Sequence, residues 1–291
     1  MIKGHPLTAH RSLQGISKYI GWLVSSKTGF FTRKQYLNGT TLTAQRGASS
    51  LMHAYFLGLP EFDEMSFLIH YLRSDDNFVD VGANMGIYSL LACSYAGCAC
   101  ESFEPVPQTY KALKANMSNN GFANKVDVKN LGIGDQEGQL YFTKNFGTTN
   151  RVVNNPEQSQ IASLVQVNVK ALDDAIESKN VKLIKIDVEG YEWNVLKGAT
   201  EVLSNDDLWA LIVEINGRNE QFGVAPEQIL DYLSSFGFKP YKYRPFDRAL
   251  APEEAFTDEN RNTIFIRESK LDEVAKRLQD ASVVNINGKA I

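Results

Sequence analysis

The stretch FVDVGANMGIYSL, residues 78–90, decides the fold of this chain. Residues 78–81 are a short apolar run with one acid, which predicts a buried strand, and residues 82–86 supply two glycines for a tight turn. Residues 87–93 favour a helix. A glycine turn between a buried strand and a helix lets a ligand approach the backbone closely, so the sequence predicts a binding site at this turn.

Strand and helix patterns alternate after this stretch. Helices are predicted at 107–117, 171–178, 192–203 and 271–281, and a further short strand at 165–169. The last two strands of the main sheet are expected to pair antiparallel. The pattern therefore predicts an α/β fold: a Rossmann-like, doubly wound, mostly parallel sheet of seven strands with an antiparallel edge strand. Its strands are expected at 78–81, 98–103, 126–130, 183–187, 208–215, 238–243 and 263–266.

The chain divides into three parts. Residues 1–75 read as a small α+β extension that caps the site, 76–268 as the main domain, and 269–291 as a C-terminal helix and tail. Within the extension, Asn38 and Gly39 predict a hairpin turn, and residues 64–72 predict an amphipathic helix. His53 lies in this extension and is a weak candidate for an acid–base role if the extension folds over the site.

The composition narrows the class of protein. With 43% hydrophobic and 22% charged residues, a mostly disordered chain is excluded. Thirty Lys and Arg against 34 Asp and Glu give a net charge of −4, which disfavours nucleic acid as a partner. We identify no transmembrane segment and no signal peptide, and expect a cytoplasmic protein whose Cys93, Cys98 and Cys100 are buried and reduced. A homo-oligomer is compatible with the sequence.

The glycine loop favours one nucleotide ligand over another. A dinucleotide fingerprint, G-x-G-x-x-G counted from Gly82, would need glycines where Asn84 and Ile87 stand. Asp80, at the end of the strand, instead suits a cationic group. Glu104 ends the next strand, where its carboxylate could accept both ribose hydroxyls. Adenosine joined to a cationic amino-acid tail describes S-adenosylmethionine.

The chain resembles the class I S-adenosylmethionine-dependent methyltransferases and, within them, the FkbM family. The resemblance rests on the residues quoted above together with FEPVP (103–107), NLGIGDQEG (130–138), the LDD segment (172–174), LIKIDVEGYEWNVLKGA (183–199) and LIVEIN (211–216). It covers residues 78–240. The family is associated with O-methylation of hydroxyls on sugars and natural products. The resemblance therefore implies a methyltransferase with a saccharide or small-molecule acceptor.

The resemblance also implies which residues hold the cofactor. Glu104 corresponds to the acid that binds the ribose, Pro105 and Val106 would line one face of the adenine, and Asn130 and Asp135 would border it. Asp187 is included as a residue that orients the cofactor or the acceptor. The loop that holds the methionine part of the cofactor, with the start of the helix after it, corresponds to Asp80, Gly82, Ala83, Asn84, Gly86 and Tyr88.

Three acids provide candidates for the chemistry. Asp187, Glu189 and Glu214 lie at or just after the ends of two strands, and such ends face one crevice in a parallel sheet. Glu189 or Glu214 is a candidate base for a hydroxyl proton, whereas Glu192 is read as a structural residue in the first turn of a helix. Three carboxylates could also bind Mg²⁺, but this alternative is not favoured and we predict no metal ligands.

Two other functions remain open on sequence grounds. One is a Rossmann-type oxidoreductase dependent on NAD(P), which the missing glycines weaken. The other is a non-catalytic scaffold that binds the cofactor. The sequence does not identify the acceptor, and it leaves O-, N- and C-methylation open.

Overall fold

The structure is a computed structural model that describes residues 3–27, 32–44, 48–143, 150–153, 156–157, 159–178, 180–215, 217–253 and 262–291. The described helices are α1 (Ser12–Lys27), α2 (Ser49–Leu57), α3 (Phe62–Tyr71), α4 (Ile87–Leu91), α5 (Pro107–Asn119), α6 (Leu172–Ala175), α7 (Glu192–Lys197), α8 (Thr200–Ser204), α9 (Pro226–Ser235) and α10 (Leu271–Gln279). The described strands are β1 (Thr32–Gln35), β2 (Thr41–Ala44), β3 (Asn77–Val81), β4 (Ala99–Phe103), β5 (Val126–Lys129), β6 (Gly132–Gly134), β7 (Gly138–Thr143), β8 (Val152–Val153), β9 (Leu164–Ala171), β10 (Val181–Ile186), β11 (Ala210–Glu214), β12 (Phe238–Arg244), β13 (Ala249–Pro252), β14 (Asn262–Arg267), β15 (Asn285–Ile286) and β16 (Lys289–Ala290).

The main sheet confirms the prediction of a doubly wound, mostly parallel fold. Its strand order is β13-β12-β14-β11-β10-β3-β4-β5, and the five strands from β11 to β5 are parallel. The chain starts in the middle at β3, runs outward through β4 and β5, and returns to β10 and β11 on the other side. The strand order therefore reverses between β3 and β10, where ligands bind in sheets of this kind.

The antiparallel part of the sheet is larger than predicted. The predicted antiparallel pairing of 238–243 with 263–266 is confirmed, since β12 pairs with β14 in that sense. However, β14 also pairs antiparallel with β11 and therefore lies inside the sheet. β13 folds back on β12 and forms the edge, which raises the number of strands from the predicted seven to eight in the described part of the chain.

Both faces of the main sheet are covered, which explains why its central strands β3, β10 and β11 consist mainly of apolar residues. In β3, Phe78 belongs to a core that also holds residues of α3, α4 and α10. The next residue, Val79, points to the opposite core, which contains residues of α7, α8 and α9. Cys93, Cys98 and Cys100 are buried and free, as predicted.

Two predicted helices differ most from the structure. The helix expected at 171–178 ends after α6, and the one expected at 192–203 is divided into α7 and α8. The division falls near Gly198, where a Cβ atom would lie 2.0 Å from the backbone oxygen of Gly134. This close approach requires a glycine in the middle of the predicted helix, which lowers helix propensity there.

A second sheet, with the order β6-β9-β7-β8, packs beside the carboxyl ends of the main strands. It includes the short strand predicted at 165–169, now extended to β9. Its apolar residues Phe142, Val152 and Val167 form a small core with Val106 and Tyr191, which lie outside this sheet. This core supplies an apolar wall close to the point where the main strand order reverses.

The N-terminal segment contains α1, the hairpin β1–β2, α2 and α3. The hairpin is confirmed, with Asn38 and Gly39 at φ values of 48° and 76° in its turn. The helix predicted at 64–72 is α3, which packs against α10 and β12. The division into three domains remains a prediction. Within the described residues, no helix combines the length and apolar character needed to cross a membrane.

Candidate functional site

A cavity of about 460 Å³ lies at the carboxyl ends of β3, β4, β10 and β11. The N-terminal segment contributes His53 and Glu61 to its wall, and the second sheet contributes Ile133 and Phe142. The cavity brings together most of the residues proposed from the sequence, namely Asp80, Gly82, Ala83, Asn84, Tyr88, Glu104, Pro105, Val106, Asp187, Glu189 and Glu214.

The glycine loop is held close to the ends of two neighbouring strands. The backbone N–H groups of Gly82 and Ala83 both donate to the Phe103 carbonyl, at 3.0 Å each. Gly82 has a φ of +78°, and a Cβ atom there would lie 1.9 Å from the backbone oxygen of Asp187. Only glycine satisfies both the backbone angle and this contact, so the residue fixes the path of the loop over β10.

Glu104 is oriented entirely by backbone groups. Its Oε2 accepts a hydrogen bond from Asn84 N–H and its Oε1 accepts one from Val106 N–H, both at 3.0 Å. Burial raises the pKa of Glu104 to about 7, although these two N–H groups favour the charged form. A buried carboxylate that lines a cavity in this way can accept further hydrogen bonds from a ligand's hydroxyl groups.

The residues beyond Glu104 form the apolar end of the cavity. Pro105, Val106, Ile133 and Phe142 line it, an arrangement suited to a flat aromatic ring. Asn130 lies outside the cavity lining. Its amide donates to the backbone oxygens of Glu104 and Pro105, at 2.9 and 2.8 Å, and thereby fixes the loop that carries both residues.

Two other residues proposed from the sequence also lie outside the cavity lining. Gly86 is the residue before α4, and a Cβ atom there would lie 2.3 Å from the side chain of Leu113 in α5. Asp135 forms an ion pair with Lys197 at 2.8 Å. The structure thus gives each residue a packing or pairing role, and their contact with a cofactor remains a prediction.

The opposite end of the cavity is crowded with charge. Lys185 Nζ donates to Asp187 Oδ2 at 2.7 Å, and Lys185 is opposite Asp80 in the register between β10 and β3. The same ammonium group lies 4.6 Å from the centre of the Tyr88 ring. Burial opposes the charge on Lys185, but the carboxylates of Asp187, Glu61 and Asp80 outweigh it and raise the pKa of this lysine.

Glu214 and Glu189 differ in their surroundings. Glu214 is buried at the end of β11, and its Oε2 has no hydrogen-bond partner among the described residues. Burial, followed by the charges of Asp187 and Glu192, raises the pKa of Glu214 to about 10, so it carries a proton at neutral pH. Glu189, in contrast, forms an ion pair with Arg218.

Glu192 explains why Asp187, Glu189 and Glu192 are spaced as they are, because its carboxylate holds the loop between β10 and α7. α7 begins at this residue, as predicted. Its carboxylate accepts hydrogen bonds from the N–H groups of Val188 and Gly190, at 3.0 and 3.1 Å, and from the side chain of Asn219 at 2.7 Å. Glu192 therefore closes the loop that carries Glu189 and supports the site from behind.

Sequence reasoning missed two residues of the charged end. Lys185 interrupts an apolar strand two positions before Asp187, a spacing that places both on one face of the sheet and could have revealed the pair. Glu61 comes from the N-terminal segment, and it accepts a hydrogen bond from the Tyr88 hydroxyl. No local motif surrounds Glu61, so no comparable signal was available.

The described residues contain no cluster of three or more His, Cys, Asp or Glu side chains arranged to hold a metal ion. Each of two acids that were considered together for Mg²⁺ has its own cation instead. Asp187 is paired with Lys185, and Glu189 with Arg218.

Comparison with known proteins gives consistent results. The chain is 30% identical to Methyltransferase 1 of Beauveria bassiana over 198 residues, which covers 59% of this chain and 76% of that protein. It is 27% identical to the hexuronic acid methyltransferase AglP of Haloferax volcanii, over 60% of this chain and 68% of the relative. It is 26% identical to the 31-O-demethyl-FK506 methyltransferase FkbM of Streptomyces tacrolimicus, over 64% of this chain and 82% of the relative.

The family profile described as the methyltransferase FkbM domain matches residues 80–240, which is more than half of the chain. The match begins at Asp80 in β3, just before the glycine loop, and includes Glu104, Asp187 and Glu214 of the cavity. The resemblance noted from the sequence is thereby confirmed. The chain belongs to the FkbM methyltransferase family.

Proposed function

We propose that this protein transfers a methyl group from S-adenosylmethionine to a hydroxyl group of a sugar or natural-product acceptor. The observation that carries the proposal is the charge of the cavity wall. Among the described residues, six acidic side chains line the cavity against one lysine. Even with Glu214 protonated, the other acids outnumber the lysine, which favours a ligand that is itself a cation. The acids are Glu61, Asp80, Glu104, Asp187, Glu189 and Glu214.

The proposed cofactor fits the described residues at both ends. Glu104 would accept hydrogen bonds from the ribose hydroxyls, and the apolar end around Val106 and Phe142 would hold the adenine. The glycine loop leaves room for the amino-acid tail at the ends of β3 and β10. The excess of carboxylates near Lys185 would balance the positive charges of the cofactor, which reduces the cost of burying them.

S-adenosylmethionine supplies an electrophilic methyl group, so the main tasks of the protein are alignment of the acceptor and removal of its hydroxyl proton. We assign the proton acceptor to Asp187, which lines the cavity at the end of β10, where Lys185 holds its carboxylate in place at 2.7 Å. Glu214 holds a proton of its own at neutral pH and is therefore a poor base. Glu189 is paired with Arg218 and is assigned to positioning the loop or the acceptor.

In the proposed reaction, bound S-adenosylmethionine would supply the methyl group, whose bond to sulfur would break as the acceptor oxygen bonds to it, with S-adenosylhomocysteine as the product. Asp187 would accept the hydroxyl proton of the acceptor. The acceptor class is supported by two relatives, one named for a hexuronic acid and the other for the 31-O position of FK506.

Calorimetry with S-adenosylhomocysteine and, separately, with NAD tests the cofactor. We expect binding of S-adenosylhomocysteine and none of NAD; binding of NAD alone would favour the oxidoreductase alternative.

Transfer of radiolabelled methyl groups to a panel of uronic acids and hydroxylated macrocycles then tests the reaction. Cofactor binding without transfer to any acceptor would favour the scaffold alternative, and activity that survives excess EDTA would exclude the Mg²⁺ mechanism.

A further inference from the structure

The charge of the chain is divided sharply along its length. Residues 1–60 contain seven Lys and Arg and not one Asp or Glu, and the first acid is Glu61. The remaining residues hold 23 Lys and Arg against 34 Asp and Glu, a balance of −11. An overall charge of −4 thus conceals a basic N-terminal segment attached to an acidic domain. A segment of this kind is attracted to anionic surfaces.

Helix α1 in this segment exposes an apolar stripe. Leu13, Ile16, Ile20 and Val24 are 83%, 36%, 54% and 58% exposed, and they follow each other at intervals of three or four residues along one face. The opposite face is the one that packs, since Trp22 is 2% exposed and lies against Tyr55 of α2 with ring centroids 5.6 Å apart. The apolar residues of the stripe therefore face outward.

Exposed cations lie at both ends of α1, and the helix contains no acid. Arg11 immediately before the helix and Lys27 at its end are exposed, whereas Lys18 lies on the packed face, 5.3 Å from the centre of the Tyr55 ring in α2. No ion pair links a described lysine or arginine of residues 3–44 to a described carboxylate. A basic helix with an exposed apolar stripe is the arrangement that lies in the interface of an anionic bilayer.

We propose that α1 docks on the surface of an anionic lipid bilayer, with the stripe entering the headgroup region. The helix has 16 residues and would lie along the surface instead of crossing it. The cations would interact with lipid headgroups. A nucleic acid would use the cations but not the stripe, and a second copy of the chain would bring its own cations against them.

Docking would also place the cavity close to the membrane. Tyr19 and Trp22 of α1 pack against Phe56 and Tyr55 of α2, and α2 carries His53, which lines the cavity. The surface that contacts lipid and the wall of the cavity are thus two sides of one helix pair. A methyl acceptor carried on a lipid would reach the cavity from this side, a step that rests on the proposed function, whereas docking itself does not.

The test is flotation of the full chain with vesicles of phosphatidylcholine, with or without 30 mol% phosphatidylglycerol. We expect binding to the anionic vesicles only. Replacing both Ile16 and Ile20 by Gln should weaken binding at least about tenfold, because apolar burial in the interface is lost. The matched control is Val283→Gln, which changes an apolar residue that is 65% exposed outside α1 and should bind like the unmodified chain.

Charge is tested by a second matched pair. Lys27→Glu should weaken binding to anionic vesicles about tenfold, whereas Lys111→Glu, an identical charge change on the exposed face of α5, should leave it within about twofold. Unchanged circular dichroism and S-adenosylhomocysteine binding would show that the variants fold. The proposal is wrong if the unmodified chain fails to float with anionic vesicles, if the isoleucine variant floats equally well, or if both lysine variants behave alike. Binding to nucleic acid, or dimerisation through α1, without vesicle binding would also overturn it.

Discussion

The two ends of the cavity hold their carboxylates by different means. At one end, Glu104 is oriented by the backbone N–H groups of Asn84 and Val106. At the other end, Asp187 is held by the side chain of Lys185, and Glu214 is buried beside it. Backbone donors fix one orientation and carry no titrating group, which suits recognition of a ligand. A side-chain ammonium and a second carboxyl can exchange or redistribute protons, which suits chemistry.

The electrostatics follow the same division. Burial raises the pKa of Glu104 to about 7, near the pH at which the enzyme would work. Burial together with the neighbouring acids raises the pKa of Glu214 to about 10. The Glu104 end of the cavity is therefore poised to respond to pH when it binds a ligand, whereas Glu214 at the other end stays protonated at neutral pH. Substitutions at the charged end should therefore change mainly kcat, whereas substitutions at the Glu104 end should change mainly the affinity for the cofactor.

The largest effect is expected at the charged end. Asp187→Asn should lower kcat by about 1,000-fold, because a neutral amide cannot accept the hydroxyl proton. Affinity for S-adenosylhomocysteine should change by less than about tenfold, since Glu104 and the apolar end remain intact. The measurements are methyl-transfer kinetics and calorimetry on the same preparation.

Asp207→Asn is the matched control for this experiment. Asp207 is also paired with a lysine, Lys182 at 3.1 Å, but it lies outside the cavity lining. Its replacement should leave kcat within about twofold. If Asp187→Asn retained full kcat, or lost cofactor binding and kcat in parallel, its assignment as the base would have to be abandoned.

An effect on stability is expected at the loop between the two ends. Gly82→Ala would place a Cβ atom 1.9 Å from the backbone oxygen of Asp187, in addition to the strain of a φ of +78°. We expect a loss of about 3 kcal/mol in the free energy of unfolding, measured by urea denaturation.

Gly121 separates the two causes. It has the same φ of +78°, and no atom lies within 4 Å of a Cβ atom placed there. Gly121→Ala should therefore cost only the backbone strain, about 1 kcal/mol. Equal losses in the two variants would show that the contact with Asp187 contributes nothing, and the loop would then be less tightly packed than described.

The sequence predicted the recognition end of the cavity, around Glu104, better than the charged end, around Lys185 and Asp187. Gly82 and Glu104 could be identified because both follow strands that the sequence predicted, and their partners are backbone groups close to the loop itself. The parallel sheet was predicted for the same reason, since each of its strands is predicted from the residues of that strand alone. β13 was missed because its residues, ALAP, carry no alternating pattern.

The charged end depends on residues that are far apart in the chain. Glu61 reaches Tyr88 from the N-terminal segment, and the raised pKa of Glu214 arises from its burial and from Asp187, 27 positions earlier. No local pattern specifies such neighbours. Among the three acids proposed from the sequence, only the structure distinguishes the protonated Glu214 from the paired Glu189.

The smallest effect, on affinity alone, is expected at the recognition end. Because the folded pKa of Glu104 is about 7, the carboxylate that would accept the ribose hydroxyls is charged above this pH and mostly protonated below it. Affinity for S-adenosylhomocysteine should therefore rise about tenfold between pH 6 and pH 8, measured by calorimetry, and level off above that. Glu104→Gln should bind S-adenosylhomocysteine more weakly and with a flatter pH profile.

Glu192→Gln is the control, because burial also raises the pKa of Glu192 to about 7, but its carboxylate faces the loop and not the cavity. The free energy of unfolding of the ligand-free protein should change with pH in the opposite direction to the affinity. A group whose pKa is raised on folding stabilises the folded state fully below its unfolded value near 4.5, and this contribution is lost as the pH rises through 7. If the pH dependence of affinity persisted in Glu104→Gln but vanished in Glu192→Gln, the titrating group would belong to the supporting loop, and the division between the two ends of the cavity would not hold.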